Sequence, residues 1–459
     1  MACKGVVVWS LFTLIVCDRF RWVVCQLEVL RHCLPPSVRQ ILAEMPETLD
    51  ETYERILLDI PKANQIFAHR LLECLTVAAR PLKVDELAEV LAIDFSVAGE
   101  TPRLNEDLRW KDQEQAVLSA CSSLVTVIDD DENSRMVQFA HFSVKEFLTS
   151  GRLAASKVDT LHYHHIPLKP AHTIMAKACL CVLLRLDYLI DKQNIKNIPL
   201  AKYSAHYFAK HVDFEDVISQ IQDGINYLLD TEKPHFAAWV WVAMVVQTDH
   251  PQQPEGNPLH YIAELGSSSL ARHLISKHPE YLHTSVGDLG TPLHQAAGSS
   301  HLDVFKILVE QYVDVDVRDF DDRTPLHRAA YWGRFDVSRI LIDRGADINA
   351  RSRLGRTPLH RAVDDLADGA NDFYFDVIAF LLGHGAEVNA QDNDHSTPLH
   401  DASFEGCTRA VQILLEHAAD AHMENNAGQT PFQVASAQGA EAVMRLLLGH
   451  TQSESNLKA

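Results

Sequence analysis

The chain has no surplus of positive charge: 62 acidic residues face 41 basic ones, a formal −21 over 459 residues. The deficit is spread, with 29 acidic against 16 basic residues over 255–459. Neither half suits a phosphate backbone, so nucleic acid is not an expected partner. Catalytic signatures are missing too. The sequence has no Gly-x-Ser-x-Gly, no His-Glu-x-x-His and no paired catalytic constellation, so nothing in it points to an enzyme. Nine cysteines are scattered without a CxxC pair. Cys179 and Cys181 sit two apart in an apolar helical run, where they cannot chelate together, so reduced thiols and no metal or cofactor are expected. Long apolar runs are few. Residues 236–246 have the length of a buried helix, and Lys177, Arg185 and Asp187 rule out a span over 176–190. Residues 5–17, behind Lys4, have the shape of a secretory signal but run into Asp18 rather than a small-residue cleavage site.

What the sequence does contain is ordinary in composition, 47% apolar and 22% charged, the balance of a globular protein. A self-comparison finds Thr291-Pro-Leu-His294, Thr324-Pro-Leu-His327, Thr357-Pro-Leu-His360 and Thr397-Pro-Leu-His400. The weaker Asn257-Pro-Leu-His260 and Thr430-Pro-Phe-Gln433 flank them, at spacings of 34, 33, 33, 40 and 33 residues. This period and signature are those of ankyrin repeats. Proline suits the first helical position, where its missing N–H costs nothing, and the preceding threonine suits the cap. The small Ala329 and Ala330 let a first helix pack closely on its neighbours. A second helix over 337–343 is expected to turn Val337, Ile340 and Leu341 inward, with Gly345 as the left-handed residue that ends it. One repeat cannot bury its own apolar face, so six are expected to stack over 255–450. The fourth carries seven extra residues within 364–375, a loop that holds Phe373, Tyr374 and Phe375.

The repeated histidines are expected to be structural. First helices of adjacent repeats lie about 10 Å apart, too far for two histidines to share a zinc ion. His162-Tyr-His164-His165 is a tighter group, but without a second ligand cluster it reads as a loop. The positions of Thr-Pro-Leu-His-x-Ala-Ala-x-x-Gly that escape the shared core are the candidate protein-binding residues: Gln295, Arg328, Tyr331, Trp332, Arg361, Asp401, Phe404 and Glu405. The hairpin fingers beside them add Arg318, Phe320, Arg351 and Arg353. Aromatics among arginines are the usual make-up of a binding hot spot.

Ahead of the repeats, Thr48-Leu-Asp-Glu51 is a capping box opening a helix that presents Tyr53, Ile56, Leu57 and Ile60. Helices are expected over 69–79, 84–91 and 114–122, then a hairpin of 124–128 with 135–139, and a closing helix over 144–149 capped by Ser143-x-x-Glu146. Three helices and a hairpin make a winged helix. Residues 165–250 are helical with little signature.

The motifs Phe20-Arg-Trp-Val-Val-Cys-Gln-Leu27, Leu49-Asp-Glu-Thr-Tyr-Glu-Arg-Ile56, Arg80-Pro-Leu-x-x-x-Glu-Leu87 and His141-Phe-Ser-Val-Lys-Glu-Phe-Leu148 resemble fungal NACHT–ankyrin proteins of the STAND type. The resemblance implies a mainly α chain: a helical remnant after a NACHT module (20–61), an α/β winged helix (62–152), a helical connector (153–254), the solenoid (255–450) and a polar tail (451–459), behind a non-family segment (1–19). It implies signal transduction, with a protein ligand on the solenoid. In that family a phosphate-gripping GxxxxGK[ST] precedes the Phe-Arg-Trp helix, but the motif occurs nowhere here, so ATPase switching is not expected. By the same resemblance His141 matches a histidine that touches the β-phosphate of bound ADP, which makes it a vestigial phosphate sensor at most. The expected role is a scaffold or recognition protein; a half-receptor partnered by an intact NACHT protein is the alternative. Cytoplasmic residence is expected, with secretion or anchoring through residues 5–17 as its alternative.

Overall fold

The computed structural model describes residues 48–95, 102–105, 108, 112–121, 124–130, 134–244, 249–364, 366 and 372–458. The expected segment 1–19, the helix begun at Phe20 and part of the 364–375 insertion lie outside them. The chain divides into two compact units, 1–252 and 253–459.

In the first unit, α1 (Leu49–Leu58) opens on the expected capping box, with Thr48 Oγ1 accepting from Glu51 N–H at 3.2 Å. Tyr53, Leu57 and Ile60 are buried. Helices α2 (Gln65–Val77), α3 (Val84–Leu91) and α4 (Gln113–Cys121) pack together beside strands β1 (Leu82–Lys83), β4 (Val125–Asp129) and β5 (Arg135–Phe139). The short strands β2 (Ile93–Asp94) and β3 (Arg103–Leu104) form a separate pair. The sheet order is β1-β5-β4, antiparallel throughout, and the wing pairs Val125 with Phe139 and Asp129 with Arg135. This is the winged-helix arrangement. Its closing helix α5 (Phe142–Leu148) begins two residues earlier than the pattern suggests, because His141 and not Ser143 is the cap: His141 Nδ1 accepts from Ser143 N–H at 3.3 Å. The Ser143 hydroxyl instead bridges His141 Nδ1 (2.6 Å) and the buried Tyr53 hydroxyl (3.0 Å), tying α5 to α1.

Beyond two short turns, α6 (Gly151–Ala154) and α7 (Asp159–Tyr163), the unit is a helical stack. Helix α8 (Leu168–Leu183) packs on α2 and α9 (Ala201–Val212); α10 (Gln222–Leu228) and α11 (Pro234–Ala243) complete it. Cys179 and Cys181 are buried on α8, and that burial pushes their thiols up to about 12 and about 11. Trp239 is fully buried, its indole N–H donating to the Ala205 carbonyl at 3.0 Å.

The second unit is six helix pairs: α12 (Pro258–Leu265) with α13 (Ser268–Lys277), α14 (Pro292–Gly298) with α15 (Leu302–Val309), α16 (Pro325–Tyr331) with α17 (Phe335–Asp343), α18 (Pro358–Val363) with α19 (Asp372–Gly383), α20 (Pro398–Phe404) with α21 (Thr408–Glu416), and α22 (Pro431–Gln438) with α23 (Glu441–Lys458). First helices pack on first helices and second on second along the stack. Leu293, Leu326, Leu359 and Leu399 and the alanines after them form the shared core. In α17 the inward face is Val337, Ser338 and Leu341, with Ile340 only half-buried. The helix starts two residues before the expected position. Gly345 ends the unit at φ +87°.

Candidate protein-docking face of the repeats

The first-helix face is held in place by the histidines. In the third repeat His327 Nδ1 accepts from Thr324 N–H (3.1 Å) and lies 3.0 Å from the Thr324 hydroxyl. Its Nε2 donates to the Arg356 carbonyl of the next repeat at 3.0 Å. A backbone N–H can only donate and a carbonyl only accept, so the ring is the neutral Nε2–H tautomer. The same bridge runs from His260 to Gly290, His294 to Arg323, His360 to Ser396 and His400 to Gln429, at 2.9, 2.9, 3.1 and 3.0 Å. Burial lowers all five histidines, three of them (His294, His327, His360) to about 4. Both ring nitrogens are thus used within the fold.

Along the face a cavity of about 760 Å³ opens among the first four repeats. It brings together five of the sequence-predicted residues: Gln295, Arg328, Tyr331, Trp332 and Arg361. Trp332 is 46% exposed and stands edge-on to Tyr331, with ring centres 5.1 Å apart. Its indole lies across Gly298 of the preceding repeat, where a Cβ would come within 2.9 Å of the ring. The Arg361 guanidinium sits over the Tyr331 ring at 4.4 Å, a cation–π contact between repeats. Gln295 departs from expectation: it is buried, and its amide donates to the Leu289 carbonyl at 2.6 Å, so it shapes the wall instead of presenting a side chain.

The other candidates lie apart from that cavity. Asp401 pairs with Arg356 at 2.5 Å, in a knot where Arg356 also meets Asp364 at 2.8 Å. Burial raises the Asp401 carboxyl, and Arg356 pulls it back. Phe404 is 54% exposed two repeats beyond Tyr331, and Glu405 is half-buried next to it. The finger arginines lace finger to finger. Arg318 donates to the Arg351 carbonyl (2.7 Å), Arg351 to the Gln391 carbonyl (2.6 Å), and Arg353 to the Phe320 carbonyl while stacking 4.4 Å over the 61%-exposed Phe320 ring.

The cavity is also walled by residues outside the predicted set, among them Glu264, Asp288, Asp321 and Arg323. Arg323 holds Asp319 (2.9 Å), Asp321 (3.2 Å) and Asp288 (3.6 Å). A sequence signal for it existed: Arg-Thr-Pro-Leu-His-Arg occurs at both 323–328 and 356–361, in no other repeat. Elsewhere, His141 is engaged as the α5 cap, with its ring tilted 39° to that of Phe142 at 4.2 Å between centres. His162 bonds the Ala154 carbonyl (3.0 Å), while His164 is buried and lowered to about 4 by that burial.

Comparison with known proteins agrees with this architecture. Residues 223–319, 259–352, 320–392 and 366–459 match the family described as ankyrin repeats (3 copies). Residues 55–158 match the GPI inositol-deacylase, winged helix domain. The azaphilone pigments biosynthesis cluster protein L of Monascus ruber is 27% identical over 296 residues, a stretch covering 60% of this chain. The match spans 61% of that protein's length. With repeat matches running over more than half of its residues, the chain belongs to the ankyrin-repeat proteins, and a winged-helix domain precedes the repeats.

Proposed function

We propose that the chain is a cytoplasmic, non-enzymatic scaffold or recognition protein that holds a protein ligand on the first-helix face of its repeats. The observation that carries this reading is the cavity wall of Tyr331, Trp332, Arg328 and Arg361. A tryptophan that packs on Gly298 yet leaves 46% of its surface exposed, beside arginines, is the kind of group that dominates protein interfaces. Descent from a NACHT–ankyrin signalling receptor is part of the reading. It is supported by the four motifs and by the winged-helix match, which also favours a second version: a half-receptor working in trans with an intact NACHT ATPase.

Affinity capture with the full chain tests the docking face, comparing wild type with the Tyr331→Ala, Trp332→Ala double variant at matched melting temperature. Proteins retained by the first and lost from the second are expected; identical captured sets would overturn the reading. In the same preparation, ATP hydrolysis and tight ADP binding are expected to be absent. Micromolar nucleotide binding lost on His141→Ala would restore the switch mechanism.

A further inference from the structure

The chemistry of that ligand can be narrowed by asking which charges in the cavity are already spent. Asp288 and Asp321 are engaged by Arg323, as is the fully buried Asp319 side chain, which also accepts from the Asp321 and Arg323 N–H groups at 2.9 Å each. Arg334 donates to the Gly298 carbonyl at 3.0 Å. Arg328 is different. Its guanidinium reaches the Asp288 carbonyl, the carboxylate it approaches (Asp319) is 3.9 Å away and already held by Arg323, and its buried Nε has no hydrogen-bond partner. Arg361 bonds Asp364 through Nη1 (2.5 Å) and covers Tyr331, yet its Nε is likewise buried and unpartnered. Those Nε atoms are too buried for a ligand to reach, but Arg328 Nη1 and Arg361 Nη2 make no hydrogen bond among the described residues, so two guanidinium groups with donors to spare share one wall with an exposed indole. Burial and the neighbouring Arg323 and Arg361 cations oppose the charge on Arg328, and Asp319 and Asp288 offset them only in part.

The surroundings are acidic. Residues 255–459 carry 29 acidic against 16 basic residues, and Glu264 and Asp288 also line the cavity. A polyacidic tract would be repelled before reaching the arginines, and a basic segment would meet them unfavourably. We infer that the cavity takes a short extended segment with a single carboxylate set beside an aromatic or large aliphatic residue, near neutral overall. The carboxylate is held by Arg328 and Arg361 and the apolar neighbour packs on Trp332. Two charge-assisted hydrogen bonds, one from each arginine, give the selectivity, and a cavity of about 760 Å³ is of the size that takes a few residues. This inference rests on the first-helix face being the docking surface.

Selection of random dodecapeptides displayed on phage against the full chain tests it, followed by fluorescence polarisation of the winning peptides on wild type, Arg328→Gln, Arg361→Gln and Trp332→Ala. The expected winners share one Asp or Glu next to an aromatic or aliphatic residue. Their affinity is expected to fall at least tenfold on Arg328→Gln and on Trp332→Ala, and to recover nothing when the peptide carboxylate is replaced by an amide. Arg361→Gln decides the matter if Arg328→Gln lowers the melting temperature. Basic or polyacidic winners that depend on Trp332 would overturn this inference and leave the docking face standing. Winners indifferent to all three substitutions, or no winners, would overturn both.

Discussion

The two units bury polar groups in different ways. In the repeats four buried Thr–His pairs and one Asn–His pair are each three residues apart, and each histidine reaches a carbonyl 29 to 36 residues on, in a pattern used five times. In the first unit every buried polar contact is its own case. Tyr203 accepts from Ala79 N–H (3.0 Å), its hydroxyl lies 2.9 Å from His211 Nε2, and His211 Nδ1 faces His172 Nδ1 at 3.1 Å. Glu89 accepts from Leu200 N–H (2.8 Å), and Arg80 clamps Glu86 with two bonds of 2.6 and 2.8 Å. The repeats gain one solution multiplied; the first unit gains several unrelated ones. A repeated device also fails together, whereas unrelated ones fail singly.

Acid provides the largest test of that difference. An unfolded histidine titrates near 6.5, while His294, His327 and His360 do so near 4 in the folded chain. Below pH 6.5 the unfolded chain therefore binds protons the folded one refuses. Stability is full above about pH 6.5 and drains away as pH falls towards 4, by on the order of 3 kcal/mol per histidine at most. Hydrogen exchange of α14, α16 and α18 at pH 7, 5.5 and 4.5 is expected to show a steep, cooperative loss of protection. A flat profile would mean that the folded rings take up protons as readily as the unfolded ones. The first unit also holds lowered histidines, His164 and His172 at about 4 and His211 at about 3. Linkage sums the shifts wherever they sit, so the first unit is expected to lose a comparable amount, read through hydrogen exchange of α8; what differs is that the repeats should lose protection together along the stack.

Leu326→Asp follows in size. Leu326 is fully buried between neighbouring first helices, and an unpaired charge there costs about 3–5 kcal/mol. Because repeats are coupled to their neighbours, exchange protection should be lost in α14 and α18 as well as α16. Damage confined to residues 324–345 would break the picture of a shared core.

How far each unit could be read from its residues follows the same division. The six repeats and the Gly345 stop are legible because their causes lie within three or four positions and recur. The α5 cap was misread because Ser143 fits a local pattern, while its hydroxyl is claimed by Tyr53, 90 residues away. Gln295 was misread for a related reason: its position matches surface sites in other repeats, but here the Leu289 carbonyl draws it in. Of the cavity, the aromatic and arginine wall was legible from repeat position. The acidic partners of Arg323 were not, since they converge from two different fingers.

Tyr203→Phe probes the unrelated kind of contact. Removing one hydroxyl strands the Ala79 N–H and one end of the His211–His172 pair, at a cost of about 1–2 kcal/mol. The expected signs are a lowered melting temperature and faster exchange at the Ala79 amide, with the repeats unaffected in their own exchange. An unchanged Ala79 amide would show that the contact does not constrain the first unit.

The smallest expected effect comes from Arg318→Ala, and it sharpens the account of the fingers. Arg318 was read as a contact residue because arginines beside an exposed phenylalanine suit a binding edge. Its Nη1, however, donates to the Asp322 carbonyl at 2.9 Å and to the Arg351 carbonyl at 2.7 Å, joining one finger to the next. Those bonds are exposed and exchange with water, so their net worth is about 1 kcal/mol or less. The expected outcome is a slightly lower melting temperature with peptide affinity at the Trp332 cavity unchanged, because the side chain is spent within the solenoid. Affinity lost at an unchanged melting temperature would make Arg318 a ligand contact and extend the docking face onto the fingers. The repeats would then use their regular inter-repeat bonds for recognition as well as for stacking.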